Sequence, residues 1–115
     1  MKATPVTIDG KEYPVKYGFA ALRKFSDITG TTLKELDRIA VDMTMTQAIA
    51  LVYAGLADGH RVTKQTFLLD MDDVADLMDE DGDAMTNVLA VFAESMGQVN
   101  KPGERQKKKL VKAQK

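Results

Sequence analysis

Asp9-Gly10 is the tightest constraint in the chain. Two runs, Thr4 to Ile8 and Lys11 to Val15, alternate apolar and polar residues on either side of it. That arrangement is the signature of a two-residue β-hairpin. A turn at Asp9-Gly10 sets Val6 opposite Tyr13 and Thr4 opposite Val15. Val6, Ile8, Tyr13, Val15 and Tyr17 then share one face, and Thr7, Glu12 and Lys16 share the other. The prolines select this register. Pro5 falls opposite Pro14 in a non-hydrogen-bonded pair, where the missing N–H groups cost no ladder bond. A turn one residue later would place Pro14 in a hydrogen-bonded pair. Both outer edges are blunted by proline, so the ribbon is not expected to recruit further strands there.

A lone hairpin is marginal in water and needs cover for its apolar face. The next segment offers a helix with Phe19, Leu22, Phe25 and Ile28 at helical spacing, ended by Gly30. That helix is the expected cover. Thr32 and Glu35 then form a capping-box pattern ahead of Leu33, Leu36 and Ile39, a short second helix. Thr44 or Thr46 can cap a third helix, which is apolar on all sides through Ala48 to Ala57, with Gly59 as its expected stop. Thr63 is the expected opening of the following segment. There Phe67, Met71, Val74 and Met78 recur at helical spacing, as one helix or as two broken near Asp70. After Gly82 a last core helix carries Met85, Val88, Leu89, Phe92 and Met96, with its end expected at Gly97. The fold class is therefore α+β and mostly α: a hairpin over about residues 4–17 on a compact bundle of four to six helices. One globular domain spans 1–100, and Asn100-Lys101-Pro102-Gly103 marks the boundary to a basic tail, 101–115.

Composition excludes some chemistry. The 115 residues suit one domain with one modest core. There is no cysteine and one histidine, which removes a disulfide framework and a thiolate metal site. The first residues lack an apolar h-region, so no secretion signal is expected. The longest apolar run, Ala48 to Ala57, falls short of the about 20 residues a bilayer crossing needs. The net charge of −1 conceals a split. Residues 101–115 hold seven Lys/Arg and one Glu, a balance of +6, which leaves −7 for the remainder.

Three candidate sites weaken on inspection. Aligning Gly82 with the glycine of a calcium-binding EF-hand loop puts Leu77 and Val88 at the first and last ligand positions, where oxygen donors are required. The acidic run Asp70 to Asp83 reads instead as solvated charge with a helix cap. His60 lies at a helix end, where a histidine interacts with the terminal carbonyls, and no second histidine or cysteine is present to build a nucleophile–base pair. No catalytic residue, metal ligand or cofactor is expected, and the chain does not read as an enzyme. The basic tail could meet nucleic acid, but it lacks the aromatics that stack on bases. A nucleic-acid-binding regulator therefore stands as an alternative only.

Seven methionines remain. Met85 reads as core. Met43, Met45, Met71, Met78 and Met96 lie near helix ends or on the acidic segment, where flexible thioethers suit an imprecise apolar partner.

The opening stretch resembles a known family. Ile8 to Pro14 (IDGKEYP), Ala21 to Phe25 (ALRKF), Thr29-Gly30 and the later stretch Ala48 to Leu56 (AIALVYAGL) are similar to the tail assembly chaperones of long-tailed, siphovirus-type bacteriophages. The resemblance implies a mostly helical protein of the infected host's cytoplasm, missing from the mature virion. It implies binding to the aggregation-prone tape measure protein, with the tail tube protein, a frameshifted long form of the chain and a second copy as further partners. Lys107-Lys108-Lys109 is compatible with a slippery codon run near the end of a short form. On pattern alone, the expected client-binding residues are Phe67, Leu68, Met71, Met78 and Met96, with Lys107, Lys108 and Lys109 from the tail. A tail-completion or connector protein is the other alternative.

Overall fold

The two turn residues decide the first element. In the computed structural model, which describes residues 2–39 and 42–100, Asp9 and Gly10 both take positive φ, 52° and 79°. This is the type I′ combination whose twist matches that of the flanking strands. Strands β1 (Thr4–Ile8) and β2 (Lys11–Val15) pair antiparallel, with Thr4 facing Val15, Pro5 facing Pro14 and Val6 facing Tyr13. The register is the one the prolines demand. Val6, Ile8, Val15 and Tyr17 are buried, and Tyr13 is half-buried on the same face.

The helical part comprises α1 (Phe19–Thr29), a 3-10 turn (Leu33–Glu35) running into α2 (Leu36–Ile39), α3 (Met45–Val62), α4 (Met71–Glu80) and α5 (Ala84–Asn100). With the two-stranded sheet this is an α+β fold, mostly α. Among the described residues no helix is long and apolar enough to cross a membrane. Residues 101–115 lie outside the described region.

Helix α3 is the axis of the core. Thr44 caps it: its hydroxyl accepts from Gln47 N–H at 3.1 Å, and the Gln47 side chain accepts from Thr44 N–H at 2.8 Å. Ala50, Leu51, Val52, Ala54 and Leu56 are buried around its circumference. Strand β2 crosses it at Gly55 and Gly59. A Cβ on Gly59 would collide with the Pro14 carbonyl, and one on Gly55 with the Tyr17 ring. Lys16 N–H donates to the Gly55 carbonyl at 3.1 Å, and the Tyr17 hydroxyl donates to the Leu51 carbonyl at 2.6 Å. Burial pushes the Tyr17 phenol far above its ordinary range.

Five expectations need correction. Gly59 does not stop α3. The helix continues to Val62, and Thr63 is its C-cap, donating its hydroxyl to the Gly59 carbonyl at 2.8 Å, with Lys64 left-handed at φ 61° just beyond. Thr63 therefore closes α3 and opens nothing; α4 begins after an extended stretch and is capped by Asp70, whose carboxylate accepts from Asp73 N–H at 2.8 Å. Gly97 does not end α5, which runs to Asn100. Finally, the hairpin is covered by α3 against β2 and by α5 against β1, while α1 packs mainly on α3. Two of the four residues assigned to the α1 core face are not in the core. Ala21, Leu22 and Phe25 are buried, but Phe19 is 77% exposed and Ile28 39%. At 3.6 residues per turn Phe19 lies about 120° round the helix from Phe25, beyond the edge of the buried stripe.

The acidic run also has a structural use. Asp81 accepts from Asp9 N–H at 2.8 Å and from Asp83 N–H at 3.0 Å. One carboxylate thus ties the hairpin turn to the α4–α5 corner. These two backbone donors, Asp9 first, hold its carboxyl below the ordinary value of 3.8.

Gly59→Ala should lose about 2–3 kcal/mol of stability in urea unfolding, because strand and helix cannot part without breaking their shared bonds. Gly82→Ala, which meets open space, should stay within about 0.5 kcal/mol of the parent. Equal effects would remove the crossing as a constraint. Asp81→Asn should lower Tm at neutral pH. Since the folded pKa lies below the unfolded one, the carboxylate's contribution is complete above the unfolded pKa and fades as pH falls through the folded value. The Tm difference between variant and parent should therefore narrow steadily in scans below about pH 4.

Candidate functional site

Where α1 ends, the chain doubles back. Gly30 is left-handed at φ 75°, and its N–H donates to the Ser26 carbonyl at 2.8 Å. Ser26 donates its hydroxyl to the Thr31 carbonyl at 2.7 Å, and Thr29 and Thr31 share a hydroxyl–hydroxyl bond of 2.7 Å. Thr31 is buried, and Gln47 at the start of α3 reaches its hydroxyl at 3.4 Å. Thr32 N–H then donates to Glu35 Oε1 at 2.8 Å, which fixes the 3-10 turn. That bond, with a second from the Thr32 hydroxyl, holds the Glu35 carboxyl below its usual range. Together these bonds fold the Leu33–Ile39 segment back beside α1.

The result is an open groove of about 360 Å³ lined by Phe19, Leu22, Arg23, Ser26, Thr31, Leu33 and Leu36. Leu22 and Leu36 are buried, and the projecting walls are Phe19 and Leu33, the latter 78% exposed. On the other side of Phe19, a smaller cavity of about 80 Å³ lies among Tyr17, Phe19, Leu22, Ser95 and Met96. Phe19 and Leu22 line both, so apolar surface continues from the groove to the last turns of α5. Phe19 and Leu33 are both largely exposed, so groove and walls form one continuous apolar surface. A standard interface needs about 800 Å² per partner, so a short segment fits here better than a folded domain.

Arg23 also borders a charged pocket of about 280 Å³, with Ala20, Lys24 and Asp27 from α1 and Ala57, Asp58 and Arg61 from α3. Asp58 is buried. Its Oδ1 accepts from Arg61 Nε at 2.7 Å, while Oδ2 has no donor among the described residues.

Of the residues singled out from the sequence, Met96 borders the smaller cavity beside Phe19, while Phe67 lies against His60 near the C-terminal end of α3. Leu68 is 84% exposed on the extended segment before α4. Phe67 is half-buried, its ring centroid 4.8 Å from His60 and 5.5 Å from Tyr53. Met71 and Met78 are half-buried against the core, and Met96 is buried. Lys107, Lys108 and Lys109 lie outside the described residues. His60 donates from Nδ1 to the Leu56 carbonyl at 2.7 Å and packs between Tyr13 and Phe67. Sequence reasoning missed the groove because it placed Phe19 and Leu33 in the core. The signal available was position: each is the first residue of its helical turn, directly after a cap residue, and Phe19 is out of phase with Phe25. Compared with family models, with curated proteins and with solved structures, the chain matches none of them.

Proposed function

We propose that this chain is a tail assembly chaperone of a long-tailed bacteriophage, which shields apolar helical segments of the tape measure protein while the tail is built. The hairpin-and-helix motif that resembles this family supports the reading, and the groove between Phe19 and Leu33 carries it. An open apolar channel with polar rims suits helix-in-groove recognition, in which residues three or four apart on an amphipathic helix enter the channel. In this reading the protein works in the host cytoplasm and leaves before the virion matures. The tail tube protein and a frameshifted long form of the chain are its further partners.

Co-expression with the tape measure protein tests this directly. The parent chain should hold the client in the soluble fraction, and Phe19→Asp combined with Leu33→Asp should lose most of that effect. Both side chains are exposed, so the variant's own Tm should change by no more than a few degrees. A parent chain that fails to solubilise the client overturns the proposal. If Leu68→Asp with Met78→Asp abolishes solubilisation and the groove variant does not, the client lies on the α4 side instead. Mass spectrometry of purified virions adds a second readout, since retention in the particle would indicate a connector protein.

A further inference from the structure

We propose that the groove also receives a segment of this same chain, Leu110-Val111, which occupies it when no client is present. The proposal goes beyond the chaperone reading and needs no particular client. Its basis is where the described chain ends. Ser95 and Met96, in the last turns of α5, border the small cavity whose other walls are Phe19 and Leu22. Those two side chains are also walls of the groove. Helix α5 thus passes the site at Ser95 and Met96 and ends four residues later, at Asn100. Pro102-Gly103 follows Asn100 closely, and proline disfavours further helix at that point. Residues 101–109 can span up to about 30 Å, so Leu110 has ample reach.

The chemistry of the segment fits an open channel. Leu110 and Val111 are the only large aliphatic residues in 101–115, and lysine stands on both sides of them, at Lys107, Lys108, Lys109 and Lys112. In an open groove the two aliphatic side chains can be covered while the lysine stems run along Phe19 and Leu33 and their ammonium groups stay in water. At about 360 Å³ the groove is near the small end of ligand pockets. Its apolar area is too small for a folded copy of the chain and adequate for two aliphatic side chains. Tethering supplies the rest, because covalent linkage across nine residues makes docking intramolecular and raises the segment's effective concentration. The competing destination is the acidic surface of α4. That attraction is electrostatic and is screened by salt, with a Debye length near ~3 Å at 1 M, whereas apolar docking persists.

The test uses the full chain. It has no native cysteine, so Ala113→Cys accepts a single nitroxide label, and amide signals are read in the 15N-labelled protein at 1 M salt. The amides of Phe19, Leu22, Leu33 and Leu36 should broaden, losing about half of their intensity or more. Adding Leu110→Asp and Val111→Asp should restore them. Broadening confined to α4 amides, or no broadening at all, overturns the proposal. So does broadening that appears equally in 15N chains without label mixed with labelled 14N chains, because the segment would then dock between copies. None of these outcomes depends on whether the tape measure protein is the client.

Discussion

The fold rests on a strand backbone lying against a helix backbone. At Gly59 the backbone of strand β2 lies directly on α3, and at Gly55 the Tyr17 ring fills the space a side chain would need. Two groups that such a crossing would bury find partners: the Lys16 N–H donates to Gly55 and the Tyr17 hydroxyl to Leu51. Pro14, at the tightest point, has no N–H to bury. An unsatisfied donor there would cost about 1–3 kcal/mol, so proline solves in the strand what glycine solves in the helix. The approach of α3 on β2, with α5 on β1, leaves Val6, Ile8 and Val15 buried, at about 1.5–3 kcal/mol each. That burial is what an isolated hairpin lacks.

The crossing also explains why a groove exists. Once α3 and α5 cover the ribbon, α1 is released from that task. It packs on the flank of α3 that carries Ala57, Asp58 and Arg61, and buries only Ala21, Leu22 and Phe25. Phe19 is then left outside the stripe, and the turn through Gly30 brings Leu33 up beside it. The apolar walls are a consequence of which element covers the hairpin.

This accounts for what the sequence made legible. Turn type, register and proline placement are local backbone rules, and the hairpin follows from them residue by residue. The capping patterns at Thr32 and Thr44 are local too, and both mark real helix starts. Glycine is ambiguous because it serves both as a helix stop and as a place for close approach. Gly30 is the first kind and Gly59 the second, and only the partner element tells them apart. Leucine or phenylalanine at a helix start is ambiguous in the same way, since three-residue spacing drifts about 60° per step from a fixed face. Asp81 shows a third limit. A run of acids looks uniformly solvated, yet one carboxylate joins two corners 72 residues apart.

The size of the groove argues for transient rather than permanent contact. Two exposed apolar side chains over a groove of about 360 Å³ leave little surface to bury, and association costs at least about 4 kcal/mol of translational and rotational freedom, so one such site holds a segment weakly. A structural joint in a finished particle would need far more. A protein that must cover many apolar helical turns of a long client, and then leave each of them, is served by weak sites used in numbers. In the proposed reading, the same weakness would let a tethered pair of aliphatic residues fill the groove without shutting out a client that presents many segments at once.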